Sequence, residues 1–118
     1  MQRRSLASLA GLALTLPAIC ALGQSTRPVR VIVPLPAGSS NDHTARVISA
    51  QMGRILEQPF VIDNRASGNG VPAAIEVVRS PPDGQTIYVA TLSHLAINVS
   101  MVRNLPYDPR RDFTPIAA

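Results

Sequence analysis

Short apolar runs alternate with longer amphipathic stretches along most of this chain. The run Val29–Val33 consists almost wholly of β-branched residues and predicts a buried strand. Residues 41–56 follow, and their apolar positions recur every three or four residues, which predicts a helix. The apolar stripe expected to face the core comprises Ala45, Ile48, Met52 and Ile55. Asn41 or Ser40 is the expected N-cap, because short polar side chains accept bonds from the first free amides.

The same alternation continues to the end of the sequence. Further strands are predicted at residues 60–63, 86–90 and 113–118, helices at 72–80 and 93–102, and loops at 64–70, 81–84 and 105–112. Thr91 or Ser93 is the expected cap of the last helix. The order β-α-β-α-β-α-(β) predicts an α/β fold, a parallel sheet with helices on both faces. Because ligands bind beyond the carboxyl ends of such strands, the loops at 36–42 and 91–94 are expected to form one site.

The first residues have the features of an export signal. Arg3 and Arg4 precede an uncharged apolar run at 6–16, and small residues follow at 21–23. We therefore expect residues 1–23 to be a signal peptide and residues 24–118 to be the mature chain, outside the cytoplasm. An uncleaved membrane anchor is the alternative, but the apolar stretch at 5–22 barely reaches spanning length.

Composition excludes several classes of function. The net charge of +4 falls to +2 once Arg3 and Arg4 are removed, and the remaining arginines are mostly isolated. This pattern argues against nucleic-acid binding. The single cysteine, Cys20, lies in the expected signal peptide, and His43 and His94 are far apart in sequence. These residues do not make a metal-ligand set, and no cofactor is expected.

The segment 36–42, PAGSSND, carries the principal candidate chemistry. The N–H groups of Gly38 to Asn41 and the hydroxyls of Ser39 and Ser40 are expected to meet a carboxylate at the positive end of the helix dipole. An ordinary strand-to-helix turn with a good cap is the alternative interpretation. The segment matches neither a Walker loop nor G-x-G-x-x-G, so nucleotide binding is not predicted.

Ser93 and His94 lie in the second candidate loop. His94 is expected to donate to an anionic ligand and to gain charge near pH 6–7. A surface histidine that caps a helix is the alternative. Serine and histidine here, as in the Ser40–His43 segment, also suggest a small serine hydrolase, but no G-x-S-x-G elbow is present. Catalysis is therefore not predicted.

Four segments carry a resemblance to a known family: LPAGSSND, DNRASGNG, PPDGQTIYVATLSHLAIN and LPYDPRRDFTPIA. In order and spacing they resemble the solute receptors of tripartite tricarboxylate transporters, also called Bug-type or TctC-like extracytoplasmic binding proteins. The resemblance implies a two-lobed periplasmic-binding-protein fold that closes around a small carboxylate. It also implies membrane subunits of a tripartite transporter as partners, and no enzymatic activity.

The resemblance further implies a ligand-binding set. Its members are Pro36, Ala37, Gly38, Ser39, Ser40, Asp42, Ser93 and His94. Ser39 replaces the second glycine of the family pattern, and His94 stands where threonine is usual. Family members are considerably longer, so the resemblance implies that residues 24–118 are a partial N-terminal α/β lobe of such a receptor. Two hypotheses result: the N-terminal part of a carboxylate receptor, or a truncated remnant that binds nothing.

Overall fold

The computed structural model describes residues 27–117. The expected signal peptide and its cleavage site lie outside these residues. The elements in chain order are β1 (Val29–Val33), α1 (Ser40–Leu56), β2 (Phe60–Asn64), a 3₁₀ turn (Gly68–Gly70), α2 (Val71–Arg79), β3 (Thr86–Tyr88), a π-helical turn (Ser93–Ile97) and α3 (Asn98–Met101). Within the described residues, no helix is both long and apolar enough to cross a bilayer.

The described strands form a parallel sheet in the order β2-β1-β3. Strand β1 occupies the centre, and its Val31 pairs with Ile62 on one side and Ile87 on the other. The central position fits the sequence of β1, because a strand covered on both faces needs apolar side chains in both directions. The predicted α/β fold is confirmed.

The two faces of β1 are covered by different helices. Val29, Val31 and Val33 point to one face and form a core cluster with Ala45 of α1. Ile32 is completely buried, and since side chains alternate along a strand it lies on the opposite face. Arg30 shares that opposite face and reaches Glu76 of α2. Helices therefore cover both faces, as predicted.

Helix α1 contacts the sheet through Ala45, as predicted, but not through Ile48 or Ile55. Its buried residues are Asp42, Ala45 and Ser49, whereas Ile48 and Ile55 are 53% and 77% exposed. Small side chains at positions 45 and 49 let the helix axis approach the strands closely. When this face of the helix packs on the sheet, Ile48 and Ile55 point outward. Periodicity alone favoured the larger apolar residues, and the prediction for Ile48 and Ile55 was wrong.

A network of ion pairs fastens α2 to the sheet. Arg30 bonds both Asp63 of β2, at 2.8 Å, and Glu76 of α2, at 2.7 Å. Arg65 bonds the same two carboxylates at 3.1 and 2.8 Å. Arg65, and then Arg30, hold the pKa of the Asp63 carboxyl below its usual value. Because all four side chains are only partly buried, the network mainly fixes the register of α2.

The last part of the chain departs from the prediction. Helical backbone begins at Leu92, so Ser93 lies inside the first turn and is not the cap. Residues 113–117 form no strand, and Ala118 lies outside the described residues. Within the described range this segment pairs with no strand edge, and Pro115 has no N–H to give. Its anchor is instead Phe113, whose ring stacks on Tyr88 of β3 at 5.5 Å.

Candidate functional site

Three loops meet beyond the carboxyl ends of the strands, and Gly70 is the residue that joins two of them. A β-carbon at Gly70 would lie 3.0 Å from the side chain of Pro34 and would overlap the imidazole of His94. Gly70 also has a φ of +74°, which other residues adopt at a cost. The loop after β2 therefore lies between the loop after β1 and the turn that follows β3. We call this region the loop edge.

The loop after β1 is organised by reciprocal bonds around the start of α1. The Ser39 hydroxyl accepts a 3.2 Å bond from the Asp42 amide, and Ser39 is the N-cap. The Asp42 carboxylate accepts a 2.8 Å bond from the Gly38 amide. The cap is thus Ser39 rather than the predicted Ser40 or Asn41, because only Ser39 has the extended backbone of a cap residue.

Asp42 is a buried hub and not an exposed ligand contact. Only 3% of its surface is exposed. Besides the Gly38 amide, it accepts bonds from Arg46 Nε at 3.0 Å and from Asn64 Nδ2 at 2.9 Å. Arg46, followed by Gly38 and Asn64, lowers the pKa of Asp42 to about 2. Its charge is therefore permanent at neutral pH and is balanced by the guanidinium.

Two amides of this loop remain without an internal partner. Within residues 27–117, no hydrogen bond uses the backbone N–H of Ser40 or of Asn41. Gly38 and Ser39 differ, since their amides donate to Asp42 and to the Pro36 carbonyl. Of the predicted donors, the Ser40 and Asn41 amides are thus the ones left to meet an anion at the helix start.

Arg46 and Asn64 are site residues that sequence reasoning missed. Arg46 is about half exposed and had no predicted role in the site, and Asn64 was placed in a loop. Asn64 is instead the last residue of β2, and its Nδ2 also donates to the Leu35 carbonyl at 3.1 Å. Arg46 Nη2 donates to Asn64 Oδ1 at 3.2 Å. The spacing of Asp42 and Arg46, four residues apart on a helix, was the available signal.

His94 is buried, with only 3% of its surface exposed. Its Nδ1 accepts a bond from the Thr91 amide at 3.3 Å and lies 2.7 Å from the Thr91 hydroxyl. The neutral ring therefore carries its proton on Nε2. Burial lowers the pKa of His94, which disfavours the expected gain of charge near pH 6–7. The alternative of a surface histidine is wrong, because the residue is buried.

The predicted site residues differ in exposure. Pro36, Ala37, Gly38 and Ser40 are exposed, Ser39 and Ser93 are partly buried, and Asp42 and His94 are buried. All of them lie in the loop after β1, at the start of α1 or in the turn after β3. Among the described residues, however, no hydrogen bond joins Ser93 or His94 to the segment 36–42. Gly70 lies between them, against the His94 ring on one side and against Pro34, two residues before the segment 36–42, on the other.

Two other features of the described residues bear on the choice of site. No group of three or more His, Cys, Asp and Glu side chains has the geometry of a metal site there. An open groove runs along α2 and is lined by Pro72, Ile75, Glu76, Arg79, Ser80 and Pro81. This groove contains none of the predicted site residues.

Comparison with protein families gives one match. The model of the tripartite tricarboxylate transporter family receptor matches residues 44–118. Among curated proteins, a UPF0065 protein of Bordetella bronchiseptica is 40% identical over 106 residues, which cover 90% of this chain and 32% of that protein. Protein BugT of Bordetella pertussis is 36% identical over 92 residues, or 77% of this chain and 28% of that protein.

Solved structures agree with these matches. MatC from Rhodopseudomonas palustris with bound malate superposes with a TM-score of 0.74 at 38% identity, covering 78% of this chain and 31% of that one. R. palustris Rpa4515 with adipate gives 0.72 at 41% identity, covering 79% and 31%. The periplasmic binding protein BugD gives 0.68 at 30% identity, covering 76% and 30%. The chain thus spans about a third of the length of the relatives that it matches.

Proposed function

Since this chain belongs to the tripartite tricarboxylate transporter receptor family, we propose that it supplies one half of a periplasmic binding site for a small carboxylate. In this proposal residues 1–23 are the export signal. The chain catalyses no reaction, and its solute passes to the membrane subunits of a tripartite transporter.

One observation carries the proposal: the amides of Ser40 and Asn41 are free of internal partners at the start of a 17-residue helix. Two adjacent N–H groups match the two oxygens of a carboxylate, and the helix dipole favours a negative group there. The exposed Ser40 hydroxyl donates a long 3.4 Å bond to Asn41 Oδ1, and rotation to a bound carboxylate would make it a third donor.

Asp42 supports this subsite without touching the ligand. By accepting the Gly38 amide it fixes the loop, and through Asn64 it ties the loop to β2. Its negative charge would repel a carboxylate, but the Arg46 guanidinium lies 3.0 Å from Oδ2 and offsets it. Gly38 and Asp42 are therefore positioning residues, while Pro36 and Ala37 shape the exposed rim.

Ser93 and His94 are proposed to form the opposite side of the site. The neutral His94 ring carries its proton on Nε2, and within residues 27–117 no hydrogen bond uses that proton. A dicarboxylate would place one carboxylate on the amides of Ser40 and Asn41 and the other toward Ser93 and His94. The relatives that hold malate and adipate support this solute class.

Titration of the 118-residue chain with malate and adipate by calorimetry and NMR tests the proposal. With few donors from one lobe, we expect a dissociation constant on the order of 1 mM. A neutral diol of similar length is the control ligand and should not bind. A chain that folds but binds neither acid is the result expected of a remnant.

Two substitutions at Ser40 distinguish the contribution of its backbone amide to binding from that of its hydroxyl. Proline is well tolerated at the first position of a helix, and Ser39 already has φ −69° and ψ 162°, close to the extended backbone that precedes proline. Ser40→Pro therefore removes the N–H while α1 is retained, and Ser40→Ala removes only the hydroxyl. We expect Ser40→Pro to weaken binding about tenfold and more than Ser40→Ala, since a charge-assisted hydrogen bond is lost.

A further inference from the structure

Asn98 is a fully buried polar residue that the sequence does not explain. Its Nδ2 donates to the Asn69 carbonyl at 3.1 Å and to the Tyr107 hydroxyl at 3.4 Å. Its Oδ1 accepts a bond from the Asn69 side chain. Burial of an amide is costly unless its groups are paired, and here both ends are paired.

Tyr107 closes this arrangement onto the turn that carries His94. Its buried hydroxyl donates to the His94 carbonyl at 2.7 Å. We call Asn69, Asn98, Tyr107 and the His94 carbonyl the polar network. It joins the loop after β2, the π-helical turn and the segment at 105–112, which are far apart in sequence.

The polar network fixes a run of left-handed backbone. Gly68, Asn69 and Gly70 have φ values of +52°, +52° and +74°. Asn69 is not glycine, but asparagine adopts the left-handed region more readily than most residues, because its short side chain can form local hydrogen bonds. Its side chain and carbonyl are both tied to Asn98, which retains this conformation. Gly70, the next residue, is thereby held against the His94 ring.

We propose that the polar network positions the ligand site. It holds Ser93 and His94 at the distance from Ser40 and Asn41 that the solute requires. The inference rests on the proposed function. The π-helical turn supports it, because such turns are rare and often lie at functional sites. Removal of a bond from the network should then change affinity and not only stability.

Two tyrosines provide a matched pair of variants. The rings of Tyr88 and Tyr107 both contact Phe113, at 5.5 and 5.7 Å between centroids. The Tyr107 hydroxyl belongs to the network, whereas the Tyr88 hydroxyl is buried without a partner among the described residues. Tyr107→Phe and Tyr88→Phe therefore each remove one buried oxygen beside the same ring, and only the first breaks hydrogen bonds.

The test is the affinity of the full chain for malate, measured by calorimetry at a temperature where circular dichroism shows every variant folded. We expect Tyr107→Phe to weaken binding about fivefold to tenfold, the factor that loss of roughly one hydrogen bond gives. Tyr88→Phe should remain within about twofold of the parent. Asn69→Gly removes the side-chain bond but keeps the left-handed backbone, and it should follow Tyr107→Phe.

The outcomes separate the two proposals. If the parent binds malate and both Tyr107→Phe and Asn69→Gly bind it equally well, the network only stabilises the fold and the inference is overturned. If Tyr107→Phe does not fold, Asn69→Gly alone decides by the same criterion. If the parent itself binds no carboxylate, the proposed function fails, and the positioning role fails with it.

Discussion

The Asn64 side chain donates a 2.9 Å hydrogen bond to the Asp42 carboxylate, and so the end of β2 is tied to the start of α1. The two residues are far apart in sequence, and each belongs to an element that borders the loop edge. The same carboxylate oxygen that binds Arg46 also receives the Gly38 amide. One ionised side chain therefore determines the shape of the loop after β1.

The charge of Asp42 should make the free energy of unfolding depend on pH in the acid range. Because its folded-state pKa is about 2, below the ordinary value of 3.8, its contribution is present above pH 3.8 and is lost as the pH falls toward 2. Asp42→Asn should remove this part of the pH dependence in urea unfolding between about pH 5 and 2. Glu57→Gln is the exposed control. An unchanged acid profile in Asp42→Asn would contradict the hub role of this carboxylate.

His94 should produce a second dependence at higher pH. Burial lowers its folded-state pKa, so the unfolded chain binds more protons and stability falls as the pH drops below about 6.5. Protonation of Nδ1 would also oppose the Thr91 amide that donates to it. His94→Asn should give a flatter profile between about pH 7.5 and 5.5 in thermal melts, and the exposed His43→Asn should not. Equal profiles for the two variants would argue against a buried neutral His94.

Gly70 should be far less tolerant of a side chain than Gly84. The two have nearly equal φ values, +74° and +76°, but a β-carbon at Gly84 meets nothing within 4 Å. Both alanine variants carry the backbone cost of about 1–2 kcal/mol. Gly70→Ala adds the overlap with His94, so it should lose about 1–3 kcal/mol more in unfolding free energy. In the double variant Gly70→Ala/His94→Ala, the loss of unfolding free energy should be smaller than the sum of the two single losses. Strictly additive losses would show that the His94 ring does not lie against Gly70.

The buried stripe of α1 makes a simple stability prediction. Ala45 is 2% exposed against the sheet, so Ala45→Val should cost about 1–3 kcal/mol by overpacking. Ile55→Ser changes a residue that is 77% exposed and should stay within about 0.5 kcal/mol of the parent. Urea unfolding of the two variants measures both values. A larger loss in Ile55→Ser than in Ala45→Val would show that Ile55 packs against the sheet, as periodicity predicted.

The fold was predictable from sequence because local signals determine it. The apolar run of β1, the polar loop after it and the turn residues between later elements indicate the β-α order, and the sheet topology follows from general rules. The face of α1 was not predictable in the same way. Ala45 and Ser49 face the strands because their side chains are small. The sequence alone does not show how closely the strands approach, so it does not show that small side chains are needed there.

The site was predictable only as far as its loops. The segment 36–42 and the pair Ser93-His94 lie at one edge because parallel strands end together. The bonds that organise them, from Asn64 to Asp42 and from Asn98 to Asn69, join residues distant in sequence. Such pairings leave no periodic signal. The burial of His94 was not predictable either, because it depends on Gly70, which is distant in sequence. A side chain at position 70 would exclude the His94 ring.

Amide NMR of the ¹⁵N-labelled chain during a malate titration tests the anion site most directly. We predict that the largest saturable shifts belong to the backbone N–H groups of Ser40 and Asn41, with smaller shifts at Ser93 and His94. Saturable shifts confined to the groove along α2, or no saturable shift at Ser40 and Asn41, would contradict the site.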